Sequence, residues 1–389
     1  MSPRLDVALI APYPPRGVLH GGHSGVASYT ANLAHGLVEH GVHVTVIAPE
    51  LIGDPAEYSD GAVDVRRAFP LGGRALSSAL AAARATDAGL VHLQWELFLY
   101  GRAGPLGLLP ALGRSRVGRS AAPVVTTLHQ VVDPATVDRR YAQLHRLAVP
   151  SPVARLGIAG LQAAITTTST ATIVHEEPFR RVVPRSTVIP HGIEKVAPVD
   201  RLAARARLGL GGNRLVVVCF GFVAPYKGLE LVLEAAGWTG PDVEVVVAGG
   251  EHPRMAGERG FAAELRARYG DVARFTGWVP DDEVSSWFGA ADLALFPYPK
   301  PFSSSGALAL ALAHGTPVLL SPALARCAGA PSLLAAPMEA RPLARRLDEL
   351  AADRAALDEL RQWTALLAAG RQWPAVARRH IRLYEELLK

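Results

Sequence analysis

Lysine is scarce in this chain. Of its 40 Lys and Arg residues, only Lys195, Lys227, Lys300 and Lys389 are lysines. Lys227 ends the segment VVVCFGFVAPYK, and Lys227-Gly228 opens an amphipathic run, GLELVLEAA. A cation at the start of a helix opposes the helix dipole unless an anion lies between them, so this lysine asks for a phosphate partner. Near the amino terminus, PYPPRGVLHGGHSGVASY follows a short apolar run; Gly21, Gly22 and Gly25 leave the backbone open to a ligand, and Ser24 can cap the helix behind them. A loop closed by a tight turn accounts for the same glycines. Three histidines end strand-like runs in the first half: His92 in LVHLQW, His129 in TTLHQ and His191 in IPHG. Strand ends share one rim of a parallel sheet, which makes His129 above all a candidate for substrate contact. The alternative for each is a buried structural histidine.

The elements that must carry these residues alternate along the chain. LDVALIA (5–11), HVTVIAP (43–49), GLVHLQW (89–95), PVVTTLH (123–129), AAITTTS (163–169) and STVIPHG (186–192) read as strands. Between the first two, Val26, Tyr29, Leu33 and Leu37 recur at helical spacing, and Gly41 supplies a stop. A second series restarts with RLVVVCFG (214–221), VEVVVAGG (243–250), ARFTGWV (273–279), DLALFPY (292–298) and TPVLLSP (316–322), with helical segments between them. Two successive series of this kind predict an α/β protein of two doubly wound domains, hinged near 193–205. The tail from Arg341 to Lys389 reads as helix, interrupted around Gly370 and Pro374.

Composition narrows the function classes. The 389 residues are 49% hydrophobic and 19% charged, enough to bury two cores, and a net charge of +5 is too small for a nucleic-acid-binding polycation. Cys219 and Cys327 make no disulfide framework, and no Cys/His spacing suggests zinc. The apolar run at the amino terminus is short and lacks a convincing cleavage site, so it reads as a strand, and a cytoplasmic setting is expected. The glycine loop does not follow the G-x-G-x-x-G pattern, and Glu50 is the nearest acid at the end of the second strand, which argues against a nicotinamide dehydrogenase.

Taken in order, GGHSGVASY, TLH, IPHG, FGFVAPYKGLELVLEAA, VVVAGGEHP, FTGWVPDDEVSSWFGAADLALFPY, ALAHGTPVLLSP and RQWPAVARRHIRLYEELL run from the first strand to the last helix. This ordered series resembles the retaining GT-B glycosyltransferases, the large group that includes sucrose synthases and bacterial mannosyltransferases. The resemblance implies two Rossmann-like domains facing across a cleft. Residues 1–195 would bind the acceptor and 196–370 the nucleotide sugar, with 371–389 a helix crossing back to the first domain. It implies catalytic roles for His129 and Lys227, and donor contacts from Gly21, Gly22, Gly221, Lys227, Gly250 and Val279. Acceptor contacts are expected from His23, His92 and Gln94. The nucleotide sugar is a co-substrate and no cofactor or metal is expected, since a lysine, backbone amides and a helix dipole can stabilise a departing diphosphate.

The chain departs from that group at three positions. Phe302 and Leu310 stand where glutamates are usual, and Phe222 where an arginine is usual. The segment Ser303, Ser304, Ser305 and Gly306 ahead of ALALALAHG offers hydroxyls and amides in their place; ordinary helix capping is the competing explanation. An active sugar transferase is the favoured reading. A chain that has lost catalysis and regulates a partner transferase is the alternative, and an epimerase acting on the nucleotide sugar is a third. Arg102, Arg114, Arg116 and Arg119 around GPLGLLPALG suggest peripheral contact with anionic lipid, although a solvated basic face explains them too. The Ala- and Arg-rich composition suggests a bacterial source.

Overall fold

The computed structural model describes residues 5–18, 25–101, 122–144, 147, 149–251, 260–301 and 303–389. Gly21, Gly22, His23, Ser24, Phe302 and the arginine-flanked segment at 102–121 lie outside the described residues. The chain divides into two units. The first comprises Met1–Gly192, Phe302–Ser304 and Gly370–Lys389, and the second comprises Ile193–Pro301 and Ser305–Ala369.

The first unit is built on β1 (Asp6–Ile10), β2 (His43–Pro49), β3 (Glu57–Asp60), β4 (Val63–Phe69), β5 (Leu90–Trp95), β6 (Val124–Leu128), β7 (Ala171–Val174) and β8 (Thr187–Val188), in the order β3-β4-β2-β1-β5-β6-β7-β8. Every neighbouring pair is parallel except β3 with β4. Val7, Ala8, Leu9 and Ile10 are all buried, as a strand covered on both faces requires. The helix Gly25–Glu39 buries Val26, Tyr29, Leu33 and Leu37, and Gly41 follows it with φ +84°. The terminal helix Trp373–Leu387 adds Trp373, Val376, Ala377 and Tyr384 to the same core.

Two stretches of this unit differ from the sequence expectation. AAITTTS is the end of a helix, Ser151–Thr168, not a strand. β-Branched threonines tolerate the helix because their hydroxyls bond back to the preceding turn: Thr166 Oγ1 donates to the Gln162 carbonyl at 3.1 Å and Thr167 Oγ1 to that of Ala163 at 2.8 Å. The strand is the next four residues, ATIV. The antiparallel pair β3–β4 and the helix Ala75–Arg84 were not anticipated; β4 alternates buried and solvent-facing residues, a pattern unlike the continuous apolar runs of the inner strands.

In the second unit β9 (Leu215–Phe220), β10 (Val243–Ala248), β11 (Arg274–Gly277), β12 (Leu293–Phe296) and β13 (Val318–Leu320) form a parallel sheet ordered β11-β10-β9-β12-β13. The strand order reverses between β9 and β12, so their carboxyl ends flank the switch point where open sheets bind ligands. The tail is cut once more than expected. Asp353 ends the helix Ala340–Ala352 and caps Arg354–Ala368, accepting from the Ala355 amide at 2.9 Å.

Asp292, at the entry to β12, ties this unit together. Its buried carboxylate bonds Arg201 and Arg205, accepts from Arg354 Nη1 at 3.1 Å, and takes the Val216 amide at 2.8 Å. Removing one partner of such a cluster leaves buried charge uncompensated. Asp292→Ala should therefore lower stability by about 3–5 kcal/mol, read from the urea midpoint of the full chain; an unchanged midpoint would mean that the guanidinium groups are already satisfied by water.

Candidate active site

In the second unit the site grows from the exits of β9 and β12. A short turn, Pro225–Lys227, follows β9, and Gly228 then starts the helix Leu229–Ala236 in a left-handed conformation, φ +66°. A side chain at 228 would meet the Pro297 carbonyl at 2.4 Å, so glycine is needed for the loop to pass the end of β12. Lys227 therefore sits one residue outside the helix rather than in its first turn. Its ammonium donates to the Tyr298 hydroxyl at 2.7 Å and lies 3.9 Å from the Tyr298 ring centroid. No carboxylate pairs with it among the described residues. Burial pushes its pKa down to about 8, and its remaining N–H bonds are available to an anion.

Tyr298 links this lysine to the serine segment. Ser305 Oγ lies 3.4 Å from the same phenol oxygen and accepts from the Leu308 amide at 3.2 Å, capping the helix Gly306–Ala313. The capping role proposed as the plain alternative is thus present. It leaves the Gly306 and Ala307 amides without helical acceptors, and Gly221, with φ +110°, packs against Ala307. Lys227, the Tyr298 hydroxyl and two helix amides form one anion-attracting group at the switch point.

The rest of the rim is glycine and aromatic. Gly249 passes so close to Gly221 that a Cβ would fall 2.0 Å from its carbonyl, and Gly250 abuts the Trp278 backbone. The Val279 side chain is buried in the core. Trp278, 64% exposed, lies 5.8 Å from Phe222 between ring centroids, so the expected cation is replaced by an aromatic pair. Leu310 packs against the core and offers no carboxylate.

The first unit gathers its histidines in a buried chain. His129, at the exit of β6, lies 2.7 Å through Nε2 from Gln94 Oε1 and 3.3 Å through Nδ1 from His175 Nε2. His175 Nδ1 meets the Ile189 carbonyl at 2.9 Å; a carbonyl only accepts, so this nitrogen carries the hydrogen. Burial lowers the pKa of His129 well below the usual range and that of His175 to about 3. Neutral His129 then donates to Gln94 and turns its Nδ1 lone pair toward His175. His92 continues the chain, with Nε2 3.2 Å from Gln94 Nε2 and Nδ1 2.6 Å from the Tyr384 hydroxyl of the terminal helix. Tyr29 packs edge-on to His129 at 4.6 Å and also contacts His175, His191 and Trp373.

This geometry corrects one expectation. His92 and Gln94 have no exposed surface and are enclosed by protein, so they hold His129 in place rather than touch an acceptor. Ser303 and Ser304 group with the first unit: Ser303 pairs with Gln130, and Ser304 Oγ donates to Glu176 Oε1 at 3.0 Å. Sequence reasoning missed His175 and Glu176. The signal is the HEE that follows ATIV, hidden because the threonine-rich 163–169 reads as the strand.

The model of Glycosyltransferase Family 4 matches residues 23–195, and that of Glycosyl transferases group 1 matches residues 200–363. The chain belongs to the group 1 glycosyltransferases. This glycosyltransferase is 30% identical over 221 residues to the D-inositol 3-phosphate glycosyltransferase of Thermobispora bispora, covering 53% of this chain and 51% of that protein. It is 35% identical over 150 residues to the Mycolicibacterium vanbaalenii protein of the same name, covering 35% and 32%. The matched region thus spans a third to a half of these relatives. Sucrose-phosphate synthase from Thermosynechococcus elongatus shares the fold with a TM-score of 0.72 at 20% identity over 99% of each chain. Anabaena HepE, solved with UDP-glucose, does so with 0.67 at 15% identity over 98% of this chain and 100% of the other. The fold is accordingly GT-B.

Two outcomes follow for the anion-attracting group. Lys227 gives up its proton near pH 8, so the affinity for added nucleoside diphosphate or pyrophosphate should fall as pH rises through that value, measured by calorimetric titration in matched buffers. A flat profile to pH 9 would separate the ammonium from binding. Ser305→Ala should cost about 1 kcal/mol of stability through the lost cap, seen as a lower urea midpoint.

Proposed function

We propose that this glycosyltransferase moves a hexose-type sugar from a nucleotide-diphosphate sugar to a small-molecule or lipid-linked hydroxyl acceptor, with retention of configuration and without a metal. The observation that carries the reading is the partly buried Lys227 ammonium, which among the described residues has a phenol and no carboxylate for company, near a helix N-terminus. In this reading the group takes the diphosphate and counters the negative charge that develops as the glycosidic bond breaks. The leaving phosphate takes the acceptor proton. His129, held neutral by burial and oriented by its hydrogen bond to Gln94, serves the sugar in the first unit.

Support for a nucleotide-sugar donor comes from the family and from the fold shared with HepE, which was solved with UDP-glucose. Support for a polyol acceptor comes from relatives named for inositol phosphate. Among the described residues no helix is long and apolar enough to cross a membrane, and a cytoplasmic protein with peripheral lipid contact is the setting we propose.

Purified full-length protein incubated with UDP-, GDP- and dTDP-sugars plus polyol acceptors should release nucleoside diphosphate, with unchanged turnover in excess chelator. Lys227→Ala should lower kcat/KM by roughly thirtyfold or more, about 2 kcal/mol of transition-state stabilisation. The product's anomeric configuration, read by NMR, should match the donor's. A second reading, a binding partner of another transferase, is favoured by Leu310, which packs against the core at a position where the family usually carries a glutamate. It predicts nucleotide binding without turnover for any donor and acceptor pair.

A further inference from the structure

Glu176 is a buried carboxylate that the chain leaves half satisfied. It follows His175 at the carboxyl end of β7, next to the exit of β6 that carries His129, and is 7% exposed. Oε1 accepts from Ser304 Oγ at 3.0 Å. Arg371 Nη1 stands 3.8 Å away, beyond hydrogen-bond reach, and Oε2 has no partner among the described residues. A carboxylate kept for structure looks different in this same chain: Asp292 is bound by three guanidinium groups and an amide. Nor does Glu176 cap the short turn Glu177–Arg181 that follows it. Arg371 balances part of its charge, and Oε2 is not fully enclosed, so it stays open to a further donor. The Gln130–Ser303 pairing holds the Ser304–Glu176 contact alongside His129.

We propose that Glu176 is a substrate-binding carboxylate, its Oε1 held by Ser304 and its Oε2 accepting a hydrogen bond from a hydroxyl of the sugar or polyol bound beside His129. The proposal rests on the transferase reading above. The hydroxyl belongs to the donor sugar or to the acceptor, and the kinetics tell the two apart. Burial raises the Glu176 pKa to about 7, with Arg371 and Ser304 pulling the other way. The remaining titratable groups nearby are His175, whose ring turns to Ile189 and His129, and Glu177, which pairs with Arg180 at 3.1 Å. The ionised carboxylate is the better acceptor, so binding should improve as pH rises through about 7 and weaken below it.

The test uses the full chain and its Glu176→Gln and Ser304→Ala variants. UDP-, GDP- and dTDP-glucose are varied at fixed myo-inositol, and then myo-inositol is varied at fixed donor. Glu176→Gln should lose at least about tenfold in kcat/KM for one of the two substrates, the one whose hydroxyl it meets, and should lose the limb near pH 7. Ser304→Ala, which keeps the carboxylate, should show a smaller loss for the same substrate. Thermal melting checks that both variants fold. If Glu176→Gln melts lower but keeps both kcat/KM values and the wild-type pH profile, the residue is structural and the proposal fails. If the wild-type protein turns over no donor, the transferase reading fails and this proposal with it.

Discussion

Desolvation of a single ammonium governs the second unit. Lys227 is drawn out of water by the turn before the helix Leu229–Ala236 and is given the Tyr298 hydroxyl and the faces of Tyr298 and Tyr226 in exchange. Such a group loses part of its affinity for a proton and gains affinity for an anion that would restore its charge. Everything around it keeps it there. Gly228 lets the loop pass the Pro297 carbonyl, the β9–β12 adjacency brings Tyr298 across, and Ser305, which caps the next helix, donates to the same Tyr298 hydroxyl. Asp292 and its three arginines anchor the entry of β12, and through it the position of Tyr298.

The first unit applies the opposite logic at the same strand ends. Its histidines are kept neutral by burial, and a chain of hydrogen bonds runs from His129 through Gln94 and His92 to Tyr384. The final member lies on the terminal helix, which gives that helix a part in orienting His129 as well as in filling the core. Arg67 does comparable work near the exit of β1: it bonds Asp54 and donates to the Pro14 carbonyl at 2.8 Å, fixing the start of the glycine loop.

Much of this was legible in the sequence where the physics is local. Inner strands of a parallel sheet are apolar on both faces, so HVTVIAP and LVVVCF announced themselves. Lys227 was visible because lysine is rare and because it precedes a helix. What escaped depends on context. The threonines at 166–168 carry strand-like side chains, yet their hydroxyls serve a helix, and the misplaced strand hid His175 and Glu176 at its true end. Nor could residue type say that His92 and Gln94 have no path to solvent, or that Ser304 and Ser305, adjacent in sequence, attend different units. Tyr298, the partner that gives Lys227 its character, lies 71 positions away and carries no signal of its own.

The most direct test of the account is an NMR titration of the Lys227 side chain, followed through its Cε resonance, without and with UDP, GDP and dTDP. The four lysines of the chain make that resonance assignable by comparison with Lys227→Ala. The account predicts a midpoint near 8 in the free protein that moves upward when one of these diphosphates binds. A midpoint near the ordinary lysine value of about 10.4 in the free protein, or one that none of the diphosphates displaces, would contradict it.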